Sequence, residues 1–157
     1  MSKNKYSLPL KEKDITKIPT NSPAHVGNLK NSVDFTCDEG CEVYSVLSGE
    51  IVWVKNDSKV GGSDKKFYYD GNRIVIKHKN NEYSAYEHLK FNGVIVKVGD
   101  KVKKGQPIGY SGNTGWSYGP HLHFEVFVFT GPDKTNDFET LKISWDNKTK
   151  KVVDRFK

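Results

Sequence analysis

No run of apolar residues in this chain is long enough to cross a bilayer, so no membrane span is expected. The opening MSKNKYSLPLKEKD has early lysines but no apolar stretch behind them, and no Sec-type signal peptide is visible. Cysteine is scarce. Cys37 and Cys41 stand as C-x3-C around a turn with no second pair, which excludes a four-ligand structural zinc knuckle. The pair reads as a turn brace, oxidised or reduced according to compartment, with no part in the chemistry. Blocks of arginine and RNP-like aromatic motifs are missing, so a nucleic-acid reader is not expected. No segment keeps apolar residues at spacings of three and four, and there is no repeat or low-complexity tract.

What is present is a chain of 157 residues, enough for a single domain with a hydrophobic core. The formal net charge of +6 is spread along the chain and favours polyanions such as nucleic acid, anionic lipid or phosphate-rich cell-wall polymers. A solvated basic surface explains the same charge without a partner.

The chain reads as a succession of short strands. Residues 1–20 are a polar arm in which Tyr6–Leu10 can form an edge strand, since proline is tolerated at edges. Residues 21–32 are a loop carrying His25. Glu42–Val46 and Gly49–Lys55 read as strands joined by a tight Ser48–Gly49 turn. A polar loop covers 56–70. Arg73–His78 turns at Asn80–Asn81 into Glu82–Leu89, and short extended pieces follow at Val94–Val98, Lys101–Lys103 and Pro107–Tyr110. His121–Thr130 reads as the central strand, and Leu141–Trp145 with Val152–Phe156 as a closing hairpin. The expected fold is all-β, an antiparallel sandwich or barrel-like sheet, with a core over roughly 21–130 and a C-terminal hairpin within 131–157.

One stretch carries chemistry. In Gly119–Val126, strand alternation puts His121, His123 and Glu125 on one face and Leu122, Phe124 and Val126 on the other. The apolar face wants a core; the polar face sets two imidazoles where a metal can be held and a proton moved. A catalytic zinc takes three protein ligands from His and carboxylate and keeps one position open. His123 with His25 and Asp34 satisfies that count. Asp34 is a lone carboxylate between Val33 and Phe35, where an unpaired charge is unfavourable and a metal would relieve it. A turn cap is the plainer role for Asp34, and exposure the plainer one for His25. In Tyr83–Leu89, alternation sets Ser84, Tyr86 and His88 on one face, with His88 at the strand end; His78 has no partner in sequence. Glu125 is either an acceptor that orients an imidazole or a solvated strand residue. The loops 56–70 and 111–119, with Trp116 and Tyr118, would wall a groove for an extended peptide.

The blocks Ser32–Val52, Asn72–Leu89, Lys97–Gly109 and Gly109–Val126, in that order, resemble the lysostaphin-type or LytM class of zinc endopeptidases, which cut peptide cross-links in bacterial cell walls. The likeness runs from Tyr6–Pro9 nearly to the end. It implies the duplicated hybrid motif fold, one zinc ion held by His25, Asp34 and His123, and catalytic roles for His121 as general base and His88 at the oxyanion or leaving group. It further implies a single peptidase domain, monomeric, acting at the cell envelope or outside the cell on peptidoglycan peptides and possessing no nucleic-acid partner. Eight residues, Val26–Val33, separate His25 from Asp34, where the commoner family pattern has a shorter spacing. Two other readings compete. One is a non-catalytic relative that binds the wall or activates other hydrolases; such relatives usually lose metal ligands, which this chain keeps. The other is a lipoyl- or biotinyl-type carrier suggested by Val98–Gln106, for which no lysine stands out at a hairpin tip.

Overall fold

The computed structural model describes residues 1–156. Its strands are β1 (Val33–Thr36), β2 (Glu42–Tyr44), β3 (Gly49–Lys55), β4 (Gly61–Gly62), β5 (Asn72–Lys77), β6 (Tyr83–Val94), β7 (Lys101–Val102), β8 (Pro107–Ser111), β9 (Gly115–Trp116), β10 (His121–Phe129) and β11 (Phe138–Thr140). A helix, α1 (Asn147–Arg155), follows them. The main sheet runs β1-β10-β6-β5-β3-β7, every pair antiparallel, with β11 on the far end of β10 and β8 bridging β2 to β6. The mostly antiparallel β architecture expected from the sequence is the one observed.

Alternation along the long strands sorts the two faces. Leu122, Phe124 and Val126 of β10, Ile74 and Ile76 of β5, and Tyr86 of β6 point into one core with Phe35, Ile51, Val43 and Ile108. Most of these side chains are fully buried, and each contributes about 1.5–3 kcal/mol by leaving water. The opposite face carries a smaller cluster, Val75, Ala85 and Phe127. On that second face, beyond the cluster, lie His121, His123 and Glu125.

Three expectations need correction. The closing hairpin is absent: Val152 and Val153 lie on a helix, not a strand. Asp146 caps it by accepting from the Thr149 amide at 2.8 Å, and Thr149, Val152 and Val153 supply its buried side. Within Leu141–Trp145 ladder pairing is confined to Trp145, which bridges Tyr6. Finally, β2 and β3 do not form a hairpin; β2 pairs with β8 across the sheet. Val46–Ser48 is a bend, held where Tyr86 Oη accepts from the Val46 amide at 3.0 Å.

The N-terminal arm packs along the C-terminal segment. Ser2 and Tyr6 donate backbone hydrogen bonds to Lys142 and Ser144. Tyr6 Oη donates to the buried carboxylate of Glu82 at 2.7 Å, which also accepts from the Lys3 and Asn4 amides. Cys37 and Cys41 are free thiols.

Candidate functional site

Strand β10 lies between β1 and β6, and this places the site. The register sets His123 opposite Asp34 on one side and opposite Glu87 on the other. His123 Nδ1 is 2.9 Å from Asp34 Oδ1, and His25 Nε2 is 3.2 Å from the same oxygen. One ligand atom from each of His25, Asp34 and His123 falls within 4.8 Å of the others. Tetrahedral ligands at about 2.0–2.1 Å from zinc stand about 3.3 Å apart, so these separations fit such an ion with little adjustment. Two imidazoles and one carboxylate are a donor set of catalytic zinc sites.

The electrostatics of the cluster also fit a cation. Burial alone would raise the Asp34 pKa, but hydrogen bonds to His123 and His25 carry it well below the carboxylate range. Burial alone would lower that of His123. Asp34 at one nitrogen and Glu125 at the other, 3.4 Å from Nε2, hold it well above the usual value. Two carboxylates thus converge on one buried imidazole, an arrangement that calls for positive charge.

His25 reaches this cluster because its loop is anchored. Its amide donates to Ser22 O, and Gly27–Leu29 forms a short 3-10 turn after it. Thr140 Oγ1 donates to Asn28 O within that turn, and beyond it Asn31 Nδ2 donates to Thr140 O at 2.7 Å. The residues that lengthen the spacing between His25 and Asp34 fold back onto β11 instead of carrying His25 away.

His88 arrives by a departure from strand alternation. In strict alternation it would share the core face with Ser84 and Tyr86. The register steps from Arg73↔Glu87 to Asn72↔Leu89, so His88 is an extra residue, a β-bulge. Its φ of 61° lies in the left-handed region. The bulge turns the ring to the site face, with centroids 4.5 Å from His121 and 6.0 Å from His123. Burial, then the neighbouring His121 and His123, push its pKa down to about 4. His121 Nε2 lies 3.8 Å from Asp34 Oδ1. All five candidate residues are therefore brought together. His78 is apart from them, buried, with its nitrogens 2.9 Å from Ser48 O and 2.8 Å from Ser84 Oγ.

Glu125 is 1% exposed, and is not a solvated strand residue. It accepts from Ser32 Oγ at 3.0 Å and lies 3.6 Å from the Arg73 guanidinium, which also reaches Glu87 at 3.2 Å. Ser32 and Arg73 were not singled out in the sequence; Arg73 is one of two cations flanking the apolar Ile74–Ile76 run, and it is the half-buried one while Lys77 is exposed. The loops 56–70 and 111–119 are joined by the parallel β4–β9 ladder. Trp116 Nε1 donates to Ser63 O at 3.0 Å, and the exposed rings of Tyr68 and Tyr118 flank the indole, each with its centroid 6.4 Å away.

Residues 28–136 match the family model for peptidase family M23. The chain is 41% identical over 98 residues to the peptidoglycan DD-endopeptidase ShyA of Vibrio cholerae, covering 62% of this chain and 20% of that protein. It spans about a fifth of the length of the first curated relatives it matches. Among solved structures, it is similar to a zinc-containing peptidase from Vibrio cholerae, with TM-score 0.58 and 32% identity over 78% of this chain and 36% of that one. The catalytic domain of lysostaphin from Staphylococcus simulans superposes with TM-score 0.54 at 29% identity, covering 81% of this chain and 84% of that domain. With the family model matching well over half of its residues, the chain belongs to peptidase family M23, in its lysostaphin- or LytM-like branch.

Proposed function

We propose that this chain is a zinc-dependent endopeptidase that cleaves peptide cross-links of bacterial peptidoglycan. The observation that carries the reading is the convergence of His25, Asp34 and His123 on one point, beside the His88 and His121 rings. The peptidoglycan endopeptidase and zinc-containing peptidase among its relatives support substrate and metal.

His25, Asp34 and His123 would hold the ion, which when bound supplies Lewis acidity to polarise a carbonyl and acidify a water. His121 takes the proton of the attacking water at Nε2, the nitrogen that faces Asp34. His88, once protonated, donates from Nε2 to the developing oxyanion or the leaving amine. The bulge at His88 sets the two rings side by side, so that a proton gained by one lies next to the other. The chain acts as one peptidase domain and a monomer, at the cell envelope or outside the cell. Its partners are peptidoglycan peptides and anionic wall polymers, with no nucleic acid among them. Among the described residues no helix is long and apolar enough to cross a membrane.

Metal analysis of the purified chain together with digestion of defined muropeptides tests this. His123→Ala and Asp34→Ala lose stoichiometric zinc and activity. His121→Ala and His88→Ala keep zinc while turnover falls on the order of a hundredfold or more. Normal zinc content and activity in His25→Ala would overturn the ligand assignment.

A further inference from the structure

A neutral imidazole has one N–H and one lone pair, on opposite nitrogens, and its surroundings select which is which. His88 Nδ1 is 2.7 Å from the Thr114 carbonyl oxygen, and His121 Nδ1 is 2.8 Å from that of Gly119. A carbonyl can only accept, so in both rings Nδ1 carries the hydrogen and Nε2 the lone pair. Both carbonyls belong to one loop, residues 112–119.

Two buried hydroxyls hold those carbonyls. Thr114, 7% exposed, donates from Oγ1 to Leu89 O at 2.7 Å and accepts from the Asn72 amide at 3.0 Å. It thereby ties the acceptor of His88 to the residue next to His88. Fully buried Asn72 reinforces the tie, donating from Nδ2 to Leu89 O at 3.2 Å and to Ser58 O at 2.9 Å. Ser117, 4% exposed, donates from Oγ to Gly119 O at 2.8 Å and lies 3.2 Å from His121 Nδ1. Between the two hydroxyls, Gly115 has φ of 81°, and a Cβ there would stand 2.7 Å from Gly71 Cα and 3.4 Å from His88 Nδ1. The loop can approach His88 this closely only with glycine at that position.

We propose that Thr114 and Ser117 are positioning residues: through the Thr114 and Gly119 carbonyls they fix His88 and His121 in the Nδ1–H form and aim both Nε2 lone pairs at the reacting atoms. The proposal rests on the reading of these two imidazoles as the proton-handling pair. Each hydroxyl serves one ring, so the effects of removing them are separable.

The test uses 15N-labelled, zinc-loaded protein above the titration range of the rings, where imidazole 15N shifts distinguish the two tautomers. In the wild type both rings are expected as Nδ1–H. Thr114→Val is expected to admit the Nε2–H form at His88 alone, and Ser117→Ala at His121 alone. Turnover falls on the order of 10- to 100-fold in each, with KM and zinc content little changed, and Thr114→Ser restores both readouts. Wild-type rings in the Nε2–H form would overturn the proposal, as would variants that lose thermal stability yet keep tautomer and turnover. If Thr114→Val does not fold, Ser117→Ala and Thr114→Ser decide it. A wild type that cleaves no muropeptide would sink the peptidase reading, while the tautomer populations would still judge this one.

Discussion

With a carboxylate at each of its nitrogens, the His123 ring is the most constrained group in the site. Glu125 can only accept, so Nε2 is the nitrogen that keeps its hydrogen, and Nδ1 is free to give up its own to a metal. Ser32 donates to the Glu125 oxygen that faces His123 and Arg73 holds the other one, so the carboxylate does not turn with the imidazole. Glu125→Gln keeps the volume but adds an amide donor that can rotate toward Nε2. That rotation favours a hydrogen on Nδ1, facing Asp34, the form that cannot ligate. Zinc affinity should fall about 10- to 100-fold, read by competition against a chromophoric chelator, with the melting temperature of the metal-free protein little changed. Unaltered affinity would mean that Glu125 serves only the fold. In the sequence, the face shared by His121, His123 and Glu125 was plain from alternation. The partners of Glu125 were not, because they come from the loop before β1 and from β5, and only the register brings them together.

At the scale of the element, α1 and the His88 bulge are where sequence patterning misleads. Val152–Val153 is an adjacent β-branched pair, and the helix around it is rich in lysine with a narrow buried side, so no apolar stripe marks it. The usable signal was Asp146 ahead of Thr149, a capping residue before the first turn. Likewise, His88 is aimed by one inserted residue, which a period of two cannot register. By contrast β10 and β5 were legible because a buried face and a fixed register repeat the same signal along their length. The cap carries a prediction. Burial would raise the Asp146 carboxyl, but the Lys104 ammonium at 2.7 Å and the Thr149 amide hold it down to about 2. A depressed carboxyl contributes its full stability above its unfolded value of about 3.9 and loses it as pH falls toward the folded one. Asp146→Ala should therefore cost about 1 kcal/mol at neutral pH in denaturant unfolding. The gap to wild type should narrow as the pH is lowered from about 4 toward 2. A gap that is constant over this window would show that the charge plays no part in the cap.

For the whole molecule, the charge balance separates two contributions to the proposed action on a cell wall. The candidate metal cluster is a local, largely buried constellation: Asp34 pairs with His25 and His123 within 3.2 Å, and buried pairs are little screened by salt. The surplus of +6 is carried by lysines spread over the surface, where interactions with a polyanion weaken as the Debye length falls from about 30 Å at 0.01 M to about 3 Å at 1 M. Salt should therefore act on approach to an anionic wall and not on the bond-breaking step. Clearing of intact walls bearing anionic polymers is expected to drop severalfold between roughly 0.05 and 0.5 M salt, while hydrolysis of a short uncharged cross-link peptide stays within about twofold. Walls stripped of their anionic polymers should behave like the peptide. If wall and peptide lose rate in parallel, the salt acts on the site itself, and the basic surface is only a solvated one.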